Sequence, residues 1–330
     1  MAKVAPYTFG VEIECFGIHP AVTAYLLRQR GFTVTDVMNA DDSDPNYRNA
    51  RRGSYNAENW VIDGDGSIEG HFPQEIKSPI LKGAKGISTL RKLIRTLKKI
   101  GLKVNHSTGL HVHVGIKNAE KAISPECAFE VLKRYASNQA AIEAIVHESR
   151  REGRNTYVRT IKPLIQRIEA SMNPEVGCER PPFAWPQMND LQRSRFLSEG
   201  SGDFYWSSDR RYHVTEEPGR DNVFENLDSF GNWGDHYHAV NISALNKYGT
   251  IEFRQHHGSL EAAEVCNWVL FVVNHVELSR KLHAGEAGKG RGRKPGLFAG
   301  LPVNVREHFK KQARKHGPAR IRGDVQANGW

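Results

Sequence analysis

Phe9-Gly10-Val11-Glu12-Ile13-Glu14, Leu110-His111-Val112-His113-Val114 and Thr250-Ile251-Glu252-Phe253-Arg254 decide how this chain folds. In each stretch, polar residues stand two apart between apolar ones. Side chains alternate faces along a strand, so Glu12 and Glu14 share a face, as do His111 and His113, and Glu252 and Arg254. Val11, Ile13, Val112, Val114, Ile251 and Phe253 take the opposite face and can build a core. Singly, each stretch has an ordinary reading: a solvated face for Glu-x-Glu, a cross-strand ion pair for Glu-x-Arg. Laid in one sheet, they gather carboxylates, imidazoles and a guanidinium on one surface, an arrangement that metal, phosphate or catalysis justifies.

The segments between them can be read outward from these strands. Asp63-Gly64-Asp65-Gly66-Ser67, just after Trp60, is a turn by composition; it has half of a calcium loop but neither helix flanks nor the terminal Glu. Pro73 to Pro79 holds a short strand with Glu75 and Lys77 on one face. Helices are expected at Pro20 to Gln29, at Ile87 to Ile100 (closed by Gly101), at 124–147, at Tyr157 to Ala170 and at Leu260 to His283. Further strands are expected at Lys103-Val104-Asn105 and at His238 to Ile242, and an irregular loop at 39–57. The 124–147 helix runs into three arginines, Arg150, Arg151 and Arg154. The class is α+β.

At 330 residues the chain has room for a large core. No apolar run is long enough to span a membrane, and the first residues carry no apolar signal core. The four cysteines include no Cys-x-x-Cys pair, which argues against a zinc ribbon; Cys15 falls on the apolar face of its strand, a buried free thiol suited to a reducing cytoplasm. The net charge of +9 is local: residues 286–330 hold eleven Lys/Arg against three Asp/Glu, a balance of +8. This basic C-terminal tail reads as a solvated connection, a short helix and a loose end, without the aromatic interleaving that base stacking requires. Residues 174–236 are rich in Gly, Pro, Asp and Asn, yet 11 of the chain's 30 aromatic residues fall in 183–237, which suits an ordered cover or lid.

In their order along the chain, Gly10 to Glu14, Trp60 with Asp65-Gly66-Ser67, Glu75 to Pro79, Gly109 to Val114, Asn241 and Thr250 to Arg254 resemble the amidoligase family. That family belongs to the carboxylate–amine ligase superfamily, with glutamine synthetase and the glutamate–cysteine ligases. The resemblance covers about residues 7–280. It implies a curved antiparallel β-sheet funnel of the glutamine-synthetase-like type, backed by α-helices, over a catalytic domain at 1–285. It also implies two or more Mg2+ ions, with Mn2+ an alternative, and ATP whose γ-phosphoryl activates a carboxylate before an amine displaces phosphate.

What the resemblance implies for residues is as follows. Glu14 and Glu75 hold the metal nearer the acyl phosphate. Glu12, Glu252 and one histidine, His113 by choice with His111 in support, hold the metal that bridges the ATP phosphates. Arg254 stabilises charge on the transferring phosphoryl, and Asp65 binds metal indirectly or the amine. Arg150, Arg151 or Arg154 holds a phosphate or the substrate carboxylate, while Trp60, Asn241 and Lys77 are further nucleotide-site candidates. The partners are an amino-acid or peptide carboxylate and an amine or ammonia, with a separate glutaminase as a possible ammonia source. Two alternatives stand beside this: a zinc-dependent hydrolase built on His111 and His113, and a non-enzymatic nucleic-acid binder acting through the tail.

Overall fold

The computed structural model describes residues 6–39, 58–116, 123–163, 165–166, 169, 237–242, 244, 248–287 and 295–317. The expected cover at 174–236, nearly all of the 39–57 loop and Cys178 lie outside these residues. Eight strands, β1 (Thr8–Cys15), β2 (Val34–Asp36), β3 (Trp60–Asp63), β4 (Gln74–Lys77), β5 (Leu81–Lys82), β6 (Gly109–Gly115), β7 (Val240–Asn241) and β8 (Thr250–His257), form one open sheet. Their order is β2-β3-β4-β1-β6-β8-β7, with β5 also paired to β1. Neighbours run antiparallel except β2 and β3. The described α-helices are α1 (Pro20–Arg28), α2 (Gly83–Ile100), α3 (Pro125–Ser137), α4 (Gln139–Glu143), α5 (Ala262–His283) and α6 (Val303–His316), with a 3-10 turn at Glu148–Arg150. The result is a mixed α/β fold.

The period-two alternation sets the two faces of the sheet. Val11, Ile13, Val112, Val114, Ile251 and Phe253 are all buried in one core with residues of α2, α3 and α5. Phe253 packs on Tyr135 of α3 with ring centroids 5.6 Å apart. Helix α2 buries Ile87, Leu90, Leu93, Ile94 and Leu97, a stripe at helical spacing, and ends at Gly101, whose φ of 98° suits glycine at the cap. Burying such aliphatic side chains contributes about 1.5–3 kcal/mol each, which makes this face the main source of stability.

Two irregularities in the sheet position the polar face. Strands β4 and β5 both pair with β1 on one side, interrupted at Ser78-Pro79-Ile80. Pro79 has no N–H to give, and Ser78 compensates: its Oγ accepts the Val11 N–H at 2.9 Å and donates to the Pro79 carbonyl at 2.8 Å. In β8, Leu110 pairs with His256 but Val112 pairs with Phe253, so β8 carries one extra residue at Arg254-Gln255. The bulge leaves Arg254 beside Glu252 while Gln255 turns inward to accept the Tyr135 hydroxyl at 2.7 Å.

Some expectations change. The 124–147 helix breaks at Asn138 (φ −109°, ψ 9°), whose side chain bonds back to the Arg134 carbonyl at 2.8 Å, as Asn does when it competes with helix backbone. The strand at Lys103-Val104-Asn105 shrinks to a bridge between Lys103 and Phe16, because Asn105 folds a turn by accepting the Ser107 N–H at 2.9 Å. Tyr157–Ile161 are not helical, and helical residues begin at Lys162. The strand at 238–242 is confined to β7. No helix among the described residues is long and apolar enough to cross a membrane.

The short basic helix expected in the tail is present as α6, but it is docked rather than solvated. Val305, Phe309 and Ala313 stand at i, i+4 and i+8 and are buried in the same core as the sheet. Their stripe is hidden in the sequence by the five Lys/Arg between them and around them. Phe309 stacks on Phe298 at 5.2 Å. Phe309→Ala should therefore cost about 3–5 kcal/mol in denaturant unfolding, while Lys311→Ala and Lys315→Ala, on the exposed side, should stay within about 0.5 kcal/mol of the parent.

Candidate active site

The sheet register brings the polar residues into one patch. Glu12 pairs with Lys77 on β4 and with His111 on β6; Glu14 pairs with Glu75; Glu75 pairs with Asp63; Glu252 pairs with His113 and with Asn241. All these side chains leave the sheet on the side away from the core helices.

Glu12 is at the centre. One of its oxygens lies 3.2 Å from His111 Nδ1 and the other 3.4 Å from His113 Nε2. His111 Nε2 reaches Glu14 at 3.3 Å, and His113 Nε2 is 3.8 Å from Glu252. Glu252 accepts from Arg254 at 2.6 Å on one oxygen and from Asn241 at 2.6 Å on the other. Glu14 accepts the Gly109 N–H at 2.6 Å and lies 3.6 Å from Arg150. Lys77 lies between Glu75 at 3.0 Å and Asp63 at 3.2 Å. Asp65 is held by Ser67, which donates its N–H at 2.8 Å and its hydroxyl at 2.7 Å.

Charge on this face is unevenly balanced. Burial opposes ionisation of Glu12, but the charges and hydrogen bonds of His113 and His111 win and hold its carboxyl well below the usual range. Glu252 is likewise held low against burial, by His113 and Arg254. Burial opposes the charged form of His113, yet Glu252 and Glu12 raise its pKa. Glu75 goes the other way: burial and the neighbouring Glu12 push it well above the usual range despite Lys77.

Three groups of donors in this patch each gather atoms within 4.8 Å of one another: Glu12, His113 and Glu252; Glu12, Glu75 and His111; and Glu14, Asp65 and Glu75. Oxygen donors predominate, the chemistry of a hard divalent cation rather than of a thiolate site. Two guanidiniums border them. Arg150 and Arg254 each keep a buried Nε with no hydrogen-bond partner among the described residues. Gly109 makes room for Arg150: a Cβ there would lie 3.0 Å from the guanidinium carbon and 3.1 Å from His111 Nε2.

Of the residues expected in the site, Glu12, Glu14, Asp65, Glu75, Lys77, His111, His113, Arg150, Asn241, Glu252 and Arg254 come together. Three do not. Arg151 turns away to cap the Glu143 and Val146 carbonyls at 3.1 and 3.3 Å. Arg154 is exposed, and Trp60 is a core residue set edge-on to Phe32 at 6.2 Å. Asp63 and Thr250, which bonds His113 Nδ1 at 3.1 Å, belong to the site and were not anticipated. The signal was there for Thr250, two residues before Glu252 on the same face. For Asp63 it was masked by the turn composition that follows.

Glu75→Gln should raise the melting temperature of the protein in chelator at neutral pH. Below the unfolded carboxylate pKa of about 4.3 the group is neutral in both states and costs nothing. Above it the unfolded chain ionises first, so the cost to the folded state grows until pH passes the raised folded pKa. The variant's advantage should therefore widen as pH rises from about 4.3 and then level off. A thermal-melt series across pH reads this, and a variant less stable at every pH would contradict it.

None of the curated proteins matches the chain. A family model described as "Putative amidoligase enzyme" matches residues 5–276, from just before β1 to within α5. That match spans most of the 330 residues and every strand of the sheet. The chain belongs to this amidoligase family, whose description is that of an amide-bond-forming ligase.

Proposed function

We propose that the protein is an ATP- and Mg2+-dependent carboxylate–amine ligase that forms an amide or isopeptide bond through an acyl phosphate. One observation carries the reading: two oxygen-rich donor groups, Glu12/His113/Glu252 and Glu14/Asp65/Glu75, adjoin on one buried sheet face with a guanidinium at each side. Soluble folds pay heavily for such crowding unless cations occupy it. Bound magnesium and nucleotide would supply phosphate charge neutralisation and a transferable γ-phosphoryl.

The chain's own residues then divide the work. Glu12, Glu252 and His113 would hold the ion on the nucleotide phosphates; Glu14 and Glu75 would hold the one nearer the activated carboxylate. Arg254 is fixed by Glu252 and would balance negative charge on the phosphoryl group in flight. Arg150, buried at the end of the 3-10 turn, would anchor a phosphate or the substrate carboxylate. Asp65 lies at the rim and would accept the proton that the amine loses as phosphate departs. Asn241 orients Glu252, and Lys77 tempers the repulsion around Glu75. Bends at Ser78–Ile80 and at Arg254–Gln255 support reading the sheet as the wall of a funnel. Buried free thiols at Cys15, Cys127 and Cys266 support a reducing, cytoplasmic setting. The acid would be an amino acid or peptide, and the amine free or delivered as ammonia by a separate glutaminase.

Thermal stability with and without Mg·ATP tests this on the parent protein, Glu12→Gln and Glu252→Gln. A ligand present at 100 times its dissociation constant stabilises by about 2.7 kcal/mol. A magnesium-dependent upward shift in the parent, lost in both variants, is the expected result. No shift at millimolar Mg·ATP would overturn the reading, and zinc retained through His111 and His113 would favour the hydrolase instead.

A further inference from the structure

Helix α6 lies beyond the residues that the family model matches, yet its last turn reaches the segment that carries Arg150. A 14-residue helix ends in carbonyl oxygens that have no partner within it, at the negative end of its dipole. One of these in α6, the His316 carbonyl, accepts from the Arg151 guanidinium. The same guanidinium donates to the Glu143 carbonyl at 3.1 Å and to the Val146 carbonyl at 3.3 Å, where α4 ends. A planar fork of donors thus joins the ends of two helices. Those ends are close: a Cβ on Gly317 would lie 3.5 Å from that of Ala144.

Arg151 follows Arg150 directly, and the backbone sends the two side chains apart. Arg150 ends the 3-10 turn, while Arg151 is extended at φ −103° and ψ 158°. Arg150 is buried and runs inward, donating to the Ser107 carbonyl at 3.2 Å and coming within 3.6 Å of Glu14. Its side chain has little to hold it there. The Glu14 contact is longer than a hydrogen bond, and Nε has no partner among the described residues. The place of Arg150 therefore depends on the backbone of the turn. Strand β8 fixes the inner side of that turn: Gln255 donates to the Arg150 carbonyl at 3.4 Å, and His257 Nδ1 accepts the His147 N–H at 3.2 Å. Helix α6 supports the outer side. The His147 ring caps the turn by accepting the Ser149 N–H at 3.2 Å, and it packs edge-on to His316 with centroids 5.8 Å apart.

We propose that Arg151, by capping α4 and α6 together, is the positioning residue that sets Arg150 in the active site, with α6 as the brace it works through. The inference rests on the reading of Arg150 as the anchor for a phosphate or the substrate carboxylate. It gives the two neighbouring arginines separate tasks: Arg150 meets the anion, and Arg151 holds the turn that presents it. Without the cap, the turn would be free to withdraw Arg150 from the site.

The test is phenylglyoxal labelling of arginine in the full, ligand-free chain, read by peptide mass spectrometry on the parent, Arg151→Ala and Arg151→Lys, with backbone hydrogen exchange on the same samples. In the parent, Arg150 should be protected. Arg151→Ala should raise its labelling about tenfold, as loss of a charged hydrogen-bond cap allows local opening. The same variant should speed exchange in the last turn of α6 and in the 3-10 turn together, while Arg254 on β8 keeps its parental reactivity. Arg151→Lys, which keeps a cation among the three carbonyls, should restore most of the protection. An Arg150 that stays protected in Arg151→Ala, that becomes reactive together with Arg254, or that is equally reactive in the lysine variant would overturn the proposal. Labelling needs no nucleotide, so those outcomes leave the ligase reading untouched, and a failed Mg·ATP shift would leave the coupling of Arg151 to Arg150 standing.

Discussion

Glu12 touches two imidazoles at once, and the rest of the polar face is arranged about that carboxylate. With His111 on one oxygen and His113 on the other, it ties β1 to β6 across the sheet's polar side. Glu14, Glu75 and Glu252 then find themselves within reach of the same centre because strand periodicity leaves them nowhere else to point. The cost of this concentration appears at Glu75, which burial and its acidic neighbour drive toward the neutral form. A sheet that accepts such a cost is organised for something other than its own stability.

The apolar side makes that possible. The residues that alternate with the acids, Val11, Ile13, Val112, Ile251 and Phe253, are all buried against the helices. Stability and chemistry are thus divided between the two faces of the same strands. The division also shows at Cys15, which is on the core side, where burial and the neighbouring acids Glu14 and Glu75 push its thiol up, away from the thiolate.

How much could be read from the sequence depended on whether a signal was local. Strands β1, β6 and β8 were legible because a period of two survives in a short window, and with them came most of the patch. Strand β2 and the docking of α6 were not. Val34-Thr35-Asp36 carries little alternation and is a strand because β3 pairs with it. The apolar stripe of α6 is three residues wide in a run of bases. Among Arg150, Arg151 and Arg154, only the 3-10 turn and the space left by Gly109 decide which one enters the site, and neither is visible in composition.

The bulge at Arg254-Gln255 makes β8 a strand with two phases. Up to Arg254 its alternation serves the polar patch; beyond Gln255 the count restarts, and His256 turns to pack on Trp268 of α5 at 4.8 Å. Removing one residue between Phe253 and His256 would leave Phe253 opposite Val112 and His256 opposite Leu110, so both halves of the strand would keep the faces they have. What would be lost is the doubling: the extra residue is what lets two consecutive side chains, Gln255 and His256, both reach the core helices, on Tyr135 and Trp268.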